Sequence, residues 1–201
     1  MLENVSGLVT HDKGNTLSTI IETLEELNYT VSFKILDSAD FGVPQKRQRI
    51  YIVGFNNTKI RKNEFKFPKS RGNRIGIGKF VEEGLTDLSI SKHLQSVYIY
   101  KENDGRPEVI TSKSDFPVKT LVASYHKIQR LTGTFVKDGP TGLRLLSANE
   151  CKAIMGFPKS FKVPVSRTQM YRQFGNSVAV PVVTAVAKAM VKHLNENGRG
   201  R

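Results

Sequence analysis

Residues 30–55, TVSFKILDSADFGVPQKRQRIYIVGF, carry the pattern from which the fold class is predicted. Up to Leu36, polar and apolar side chains alternate, which is typical of a strand with one buried face. The last part, Ile50–Phe55, is a continuous apolar run, which is typical of a strand covered on both faces. We therefore expect two strands of one sheet, with the basic stretch Gln45–Arg49 between them.

The residues before this stretch extend the same sheet. Between Thr16 and Leu27 the apolar side chains recur at helical spacing, which predicts an amphipathic helix. Leu2–Val5 is expected to form a further strand at the start of the chain. The order strand, helix, strand, strand is that of the end of an α/β sheet.

The C-terminal part is predicted to be helical. Ser147 and Glu150 have the spacing of a capping box before the apolar positions of a helix, and Gly156 supplies a stop signal. Two more helices are expected, over about 168–174 and about 178–194.

Residues 75–139 have a different character. Short strand-like pieces, such as SVYIY at 96–100 and EVIT at 108–111, are broken by glycine and proline, which predicts a small irregular domain. The expected division is an α/β core over 1–58, this second domain with a basic linker over 59–142, helices over 143–195 that return to the core, and a disordered tail over 196–201.

Composition favours a polyanionic partner. The chain has 201 residues with a formal charge of +13, from 31 basic and 18 acidic residues, which points to nucleic acid before a membrane surface. No basic amphipathic helix, secretory leader or membrane-length apolar run is evident in the sequence. One cysteine, Cys151, and four histidines without ligand spacing predict no structural metal and a reducing compartment.

The segment 56–74 holds seven lysines and arginines with two phenylalanines interleaved: Lys59, Arg61, Lys62, Phe65, Lys66, Phe67, Lys69, Arg71 and Arg74. Such a stretch can follow a phosphate backbone. It can equally be a solvated basic loop, and composition does not decide between the two.

Four segments stand out because of their order. They are ENV at 3–5, QKRQR at 45–49, LRLLSANECKAIMGFP at 143–158 and QFGNSVAVPV at 173–182. Singly, each has a plain structural interpretation: a chance tripeptide, an exposed basic turn, a well-capped helix, and a helix end followed by a helix start.

Together, these segments resemble the second half of the DNA (cytosine-5)-methyltransferase family. That family has an ENV motif, a Gln-x-Arg-x-Arg motif, a variable target-recognition domain, a segment ending in Gly-Phe-Pro or Gly-Tyr-Pro, and a GNSV helix. The resemblance implies an α/β fold: the C-terminal part of a Rossmann-like methyltransferase sheet plus a small, mainly β target-recognition domain. It also implies a restriction-modification setting and a prokaryotic or phage cytoplasmic enzyme associated with the nucleoid.

The resemblance assigns chemistry to three residues. In this family a cysteine adds to carbon 6 of a flipped-out cytosine, and carbon 5 then takes a methyl group from S-adenosyl-L-methionine. Glu3 is implied to hydrogen-bond the ring edge at nitrogen 3. Arg49 is implied to hold the cytosine carbonyl, and Arg47 to orient the site or bind a phosphate.

Binding residues follow from the same resemblance. Asn176 and Ser177 correspond to residues that contact the methionine part of S-adenosyl-L-methionine, and a polar helix start suits a carboxylate. The residues expected to bind double-stranded DNA are Gln45, Lys119, Thr120, Leu121, Tyr125 and Arg130, with His126 as a further candidate. Cys151 is expected to be a core residue.

Two motifs of the family's first half are missing. The sequence contains neither a Phe-x-Gly-x-Gly cofactor loop nor a Pro-Cys dipeptide. The chain alone is therefore expected to be inactive and to need a partner chain that supplies the nucleophile and most of the cofactor pocket. Two alternatives are a truncated remnant or fragment of a one-chain enzyme, and a DNA-binding module without catalysis.

Overall fold

The predicted strands at the start of the chain pair into one antiparallel sheet. The computed structural model describes residues 1–60, 64–70 and 72–198. The strands β1 (Leu2–Val5), β2 (Tyr29–Asp37) and β3 (Gln48–Asn56) lie in the order β1-β3-β2. Residues 50–53 of the central strand are almost fully buried, which confirms the strand predicted from the continuous apolar run.

The predicted amphipathic helix is also present, as α1 (Asn15–Glu26). Its buried residue Leu17 packs in a cluster with Leu8, Ile50 and Ile52. Opposed residues of an antiparallel pair share a face. The register Leu2↔Ile52 and Phe33↔Ile52 therefore puts Leu2 and Phe33 on the face that carries this cluster.

The chain divides into two units. Unit 1 consists of Met1–Asp37, Gln48–Ser70 and Val182–Arg201, and unit 2 of Ser38–Arg47 and Arg71–Pro181. The predicted boundaries differ in two respects. Residues 38–47, expected in the α/β core, group with unit 2 because their backbone pairs with Val118. Residues 143–181 share one apolar core with the region before them instead of forming a separate segment.

Unit 2 is built from short elements around a large buried cluster. They are α2 (Lys92–Leu94), β4 (Glu108–Ile110), β5 (Thr134–Val136), α3 (Ala148–Met155) and α4 (Arg167–Asn176). The strands β4 and β5 pair in parallel, so the strand predicted for EVIT is confirmed. Named strands in the described part of this unit amount to these two three-residue pieces.

The strand expected for SVYIY is wrong. These residues continue α2 as a π-helical turn, Gln95–Ile99. The Ser91 hydroxyl accepts the Leu94 N–H at 3.2 Å and caps the helix start. The Gln95 side-chain amide donates to the carbonyl of Ile90 at 2.7 Å. These side-chain bonds fix a helical turn in a sequence whose β-branched and aromatic content favours a strand.

The capping box of α3 is confirmed. The Ser147 hydroxyl accepts the Glu150 N–H at 3.1 Å, and the Glu150 carboxylate accepts the Ser147 N–H at 2.7 Å. Gly156 ends the helix with φ +74°. A side chain there would also meet Pro181 Cδ at 2.4 Å from its Cβ, so both conformation and space require glycine.

The last helix, α5, spans Val180–Asn197 and is longer than predicted. Residues 196 and 197, expected in a disordered tail, are helical, and the Gly198 N–H donates to the Leu194 carbonyl at 2.8 Å. Residues 199–201 of that tail lie outside the described residues. The stretch Arg167–Asn197 is long and apolar enough to cross a membrane by length and composition, but residues 177–179 divide it into α4 and α5.

Candidate active site and DNA interface

Glu3 and Arg49 form an ion pair on neighbouring strands of unit 1. In the register of β1 and β3, Glu3 lies opposite Tyr51 and Val5 opposite Arg49, so the two charged side chains share one face. Arg49 Nε lies 3.4 Å from Glu3 Oε1, and the side chains are 16% and 22% exposed. Among the described residues Glu3 Oε1 has no hydrogen-bond partner although it is shielded from solvent. Glu3 Oε1 therefore has an ion-pair partner in Arg49 but no hydrogen-bond donor among the described residues.

Arg47 lies in unit 2 and is buried, with 4% exposure. Its Nη1 donates to the carbonyl of Leu121 at 3.3 Å, and its Nη2 donates to those of Gly175 at 3.2 Å and Ser177 at 2.7 Å. A guanidinium so enclosed does not fit the predicted phosphate contact. It fits the other predicted role, orientation, because it joins the segment around Leu121 to the turn at 175–177.

Gln45 has the same kind of structural role, which corrects its prediction as a DNA-contacting residue. It is fully buried. Its side-chain oxygen accepts the Leu121 N–H at 2.7 Å, and its amide nitrogen donates to the Ile154 carbonyl at 3.1 Å. The backbone continues this join, since Lys46 N–H donates to the Val118 carbonyl at 2.8 Å. Gln45 and Arg47 thus fix the segment 118–121.

Asn176 and Ser177 close α4 and border a shallow polar cavity. The cavity measures about 550 Å³ and is lined by Gln169, Arg172, Gln173, Asn176 and Ser177. Its polar groups and single cation suit a carboxylate, the group that the methionine part of S-adenosyl-L-methionine would present. Arg172, which also lines this cavity, is not among the residues predicted from the sequence, although its i, i+4 spacing to Asn176 puts the two side chains on the same helix face.

Two predicted DNA contacts belong to the interior. Tyr125 is 3% exposed, and its hydroxyl donates to the Thr134 carbonyl at 2.6 Å and accepts the Leu146 N–H at 3.0 Å. Arg130 is 2% exposed and forms ion pairs with Glu102 and Asp104. Neither side chain is accessible to DNA as the structure stands, so both predictions are wrong for direct contact.

The remaining predicted contacts divide by exposure. Lys119 is exposed and Thr120 is half-buried, with its hydroxyl donating to the Lys46 carbonyl at 2.8 Å. Leu121 is 4% exposed, which excludes it from a surface contact, and His126 is half-buried. Lys119 is therefore the one member of the set whose charge faces solvent.

The basic segment after β3 is divided in the structure. Phe65 is buried in unit 1, with its ring 5.5 Å from that of Phe55 and 5.7 Å from that of His193. Arg74, in unit 2, pairs with Asp40 at 2.9 Å. Arg61, Lys62 and Arg71 lie outside the described residues. Part of this segment thus packs on its own unit instead of forming a free basic arm.

An ion network holds the start of α3 in unit 2. Arg144 donates to both carboxylate oxygens of Glu150 at 2.9 Å and to Asp138 at 2.8 Å. Arg144 and Glu150 are fully buried. The hydrogen bond from Arg144 lowers the pKa of Asp138 to about 2. A pair this deeply buried is stable only because each charged group has its partners in place.

Cys151 is a core residue of α3. It is fully buried, and burial raises the pKa of its thiol well above the ordinary range. A thiol that stays protonated is a poor nucleophile. In residues 1–60, 64–70 and 72–198, no group of three or more His, Cys, Asp or Glu side chains is placed to hold a metal ion.

Comparison with known proteins decides the family. The sequence model of C-5 cytosine-specific DNA methylases matches residues 1–192. The chain belongs to this family of C-5 cytosine-specific DNA methylases. It is 59% identical over 187 residues to the Type II methyltransferase M.MspI of Moraxella sp, covering 93% of this chain and 44% of that protein. It is 55% identical over 195 residues to M.BsuFI of Bacillus subtilis, covering 96% and 47%.

Solved structures show the same fold for this methylase chain. Spodoptera frugiperda DNMT2 superposes with a TM-score of 0.74 at 22% identity, covering 94% of this chain and 65% of that one. S. pombe Dnmt2 superposes with a TM-score of 0.74 at 20% identity, covering 96% of this chain and 66% of that one. The fold is therefore the Rossmann-like methyltransferase fold of the predicted class. The methylase chain spans about half the length of the curated relatives, 44% and 47% of the two.

Proposed function

We propose that this chain supplies the base-polarising and DNA-recognition parts of a DNA cytosine-5 methyltransferase. The reaction is transfer of a methyl group from S-adenosyl-L-methionine to carbon 5 of a flipped-out cytosine in a specific sequence of double-stranded DNA. The ion pair of Glu3 and Arg49 carries the proposal, because it brings together two residues that are 46 positions apart and were assigned to one base.

The pair can polarise a pyrimidine ring. Glu3 Oε1 lies against Arg49 and accepts no hydrogen bond among the described residues, and we propose that the Glu3 carboxyl group holds a proton at ring nitrogen 3 of the cytosine. Arg49, 3.4 Å away, is placed to hold the neighbouring carbonyl oxygen and stabilise the charge that develops on it. Both roles are carried by strands and not by loops, which keeps the two groups in register.

The cofactor is proposed to meet this chain at the turn 175–177. Asn176, Ser177 and Arg172 are the residues that would hold its carboxylate, and Arg47 would keep the turn in shape through the Gly175 and Ser177 carbonyls. S-adenosyl-L-methionine would supply the methyl group. Most of its pocket is expected from residues outside this sequence.

The nucleophile is proposed to come from outside these 201 residues. The sequence has no Pro-Cys dipeptide, and its one cysteine is fully buried. The source would be a partner chain or another part of the same polypeptide. Unit 1 supports such a docking, because large apolar side chains lie exposed on it: Leu2, Val5, Leu27, Phe33, Ile35, Val191 and Leu194.

The setting proposed is a restriction-modification system in a prokaryotic cell. Both cited bacterial relatives are Type II methyltransferases, and the formal charge of +13 suits a DNA-bound enzyme in the cytoplasm. Lys119, exposed within the fixed segment 118–121, is the residue of the predicted set that we propose contacts DNA.

The test is methyl transfer from labelled S-adenosyl-L-methionine to mixed-sequence DNA. The chain would be assayed alone and with a protein that carries the cofactor loop and the Pro-Cys motif. We expect activity only with the second protein, and losses of at least about 100-fold for Glu3→Gln and for Arg49→Ala. Glu25→Gln, an exposed carboxylate of α1, is the matched control.

Two outcomes would contradict the proposal. If Glu3→Gln retained full activity in the assembled enzyme, the base-polarising role would be wrong. If DNA bound but no combination transferred a methyl group, the chain would act as a DNA-binding module without catalysis.

A further inference from the structure

Arg130, deep in unit 2, directs its guanidinium to a single surface loop. It is 2% exposed. Its Nε donates to the Ile99 carbonyl at 3.1 Å, and its Nη2 donates to the Glu102 carbonyl at 3.1 Å and to the Asp104 carboxylate. Its Nη1 lies 3.6 Å from Glu102 Oε2. One buried side chain thus fixes both the backbone and the acidic side chains of residues 99–104.

The loop that Arg130 holds, residues 100–106, is called the anchored loop below. Every residue in it is exposed, including Tyr100 at 51%, Lys101, Asn103 and Arg106. A surface loop that serves only as a connection does not need a buried cation to fix its backbone. Fixing it before binding lowers the ordering cost when its exposed side chains meet a ligand.

Charge complementarity identifies the class of ligand. The two carboxylates of the anchored loop are drawn to Arg130, and that contact lowers the pKa of Asp104. Lys101 lies 3.3 Å from Glu102, and Arg106 forms no ion pair among the described residues. Arg130 thus offsets the charge of two carboxylates that stay 57% and 38% exposed, and beside them the loop presents lysine, arginine, asparagine and tyrosine side chains, which is the chemistry of a nucleic-acid contact.

We propose that the anchored loop contacts duplex DNA and that Arg130 is the positioning residue that fixes it for this contact. The proposal rests on the proposed function, because it names a contact surface for the same DNA. The loop belongs with the recognition segment in unit 2. The Tyr98 hydroxyl accepts the Arg130 N–H at 3.4 Å, and Glu108, just after the loop, accepts the Lys119 N–H at 3.0 Å.

The first test removes the outward charges. Binding of the chain to a fluorescent mixed-sequence duplex would be measured at several salt concentrations. We expect Lys101→Ala/Arg106→Ala to weaken binding roughly tenfold and to reduce the salt slope by about two, as for two lost phosphate contacts. Lys188→Ala/Lys192→Ala removes the same charge from the exposed face of α5 and is the control.

The outcomes separate the two proposals. Binding by the unsubstituted chain, with equal losses in the loop variant and the control, would overturn the role of the loop and leave the proposed function standing. Absence of any DNA binding by the unsubstituted chain would contradict both.

The second test addresses Arg130 itself. We expect Arg130→Met to weaken DNA binding at least as much as the loop variant, because it releases two carboxylates toward the DNA. Adding Asp104→Asn should restore part of the affinity without restoring the melting temperature, which a purely structural role would not allow. An affinity unchanged by Arg130→Met, or a loss that Asp104→Asn does not relieve, would overturn the positioning role. If Arg130→Met did not fold, the surface variant, which removes no buried contact, would decide.

Discussion

At the scale of single residues, Arg47 shows what a motif arginine does when it faces inward. It donates to three backbone carbonyls, those of Leu121, Gly175 and Ser177, from a site that is 4% exposed. We expect Arg47→Met to lower the free energy of unfolding by about 2–4 kcal/mol, because buried carbonyls are left without donors. Urea unfolding followed by circular dichroism would measure it.

The control for Arg47 is Arg172→Met on the exposed face of α4. No hydrogen bond or ion pair of Arg172 is evident in the described part of the chain, so its loss should change stability by less than about 0.5 kcal/mol. If the two substitutions changed the free energy of unfolding equally, the buried hydrogen bonds of Arg47 would contribute nothing to stability.

Gly175 is required for a reason of space. A Cβ atom there would lie 2.2 Å from the backbone nitrogen of Ala123 and 2.4 Å from the carbonyl carbon of Val122. Backbone atoms cannot turn aside as a flexible side chain does. We expect Gly175→Ala to separate these segments and to lower the melting temperature by several degrees. Gly7→Ala, where no other atom lies within 4 Å, should be close to neutral.

The sequence shows which residue types occupy the motif positions, but it does not show which of those side chains are buried. The resemblance to the family assigned Glu3 and Arg49 to one base, and the structure brings their side chains within 3.4 Å of each other. Tyr125 and Arg130 were predicted to contact DNA because they lie close in sequence to Thr120 and Leu121, which resemble a pair in the family's base-reading loop. Their partners, the Thr134 carbonyl and the loop at 99–104, come from tertiary packing that no local pattern encodes.

At the scale of elements, the start of α3 depends on ionised carboxylates. Hydrogen bonding by Arg144 lowers the pKa of Asp138 from 3.8 to about 2. A lowered folded-state pKa contributes stability that is present above about pH 4 and is lost as the pH falls toward 2. We therefore expect the free energy of unfolding to decline between about pH 4 and pH 2.

Acid titration of Asp138→Asn tests this contribution. The variant should be less stable than the unsubstituted chain at pH 7, and the difference should shrink as the pH falls toward 2. A difference that stayed constant with pH would show that the carboxylate contributes by shape and not by charge. Thermal unfolding monitored at several pH values would give both curves.

Elements with their own local signals agree with the structure. The capping box at 147–150 starts α3 through hydrogen bonds between its own residues, and the continuous apolar run at 50–55 forms the buried strand β3. The segment SVYIY at 96–100 lacks such a local signal, because its helical turn depends on hydrogen bonds of Ser91 and Gln95, which precede it in the sequence. The predicted helix ends were the least accurate: the last helix was expected over about 178–194, and α5 spans Val180–Asn197.

At the scale of the whole molecule, unit 1 carries an incompletely covered sheet face. Phe33 and Ile35 lie on the face that α1 covers but are 45% and 43% exposed. We expect Phe33→Ser/Ile35→Thr to leave the circular dichroism spectrum unchanged and to reduce binding of a hydrophobic dye, because the exposed apolar area falls. Lys34→Gln, on the opposite face of the same strand, is the control. Dye binding equal to that of the control would show that this face does not attract apolar ligands.

The join between residues 44–47 and 118–121 has a consequence for which substitutions this segment tolerates. Much of it is made by main-chain groups, such as Val118 N–H to the Pro44 carbonyl at 2.9 Å and Lys46 N–H to the Val118 carbonyl at 2.8 Å. Main-chain groups are the same whatever side chains flank them. Exposed side chains of the segment 118–121, such as Lys119, can therefore be exchanged while the main-chain attachment to residues 44–47 is kept.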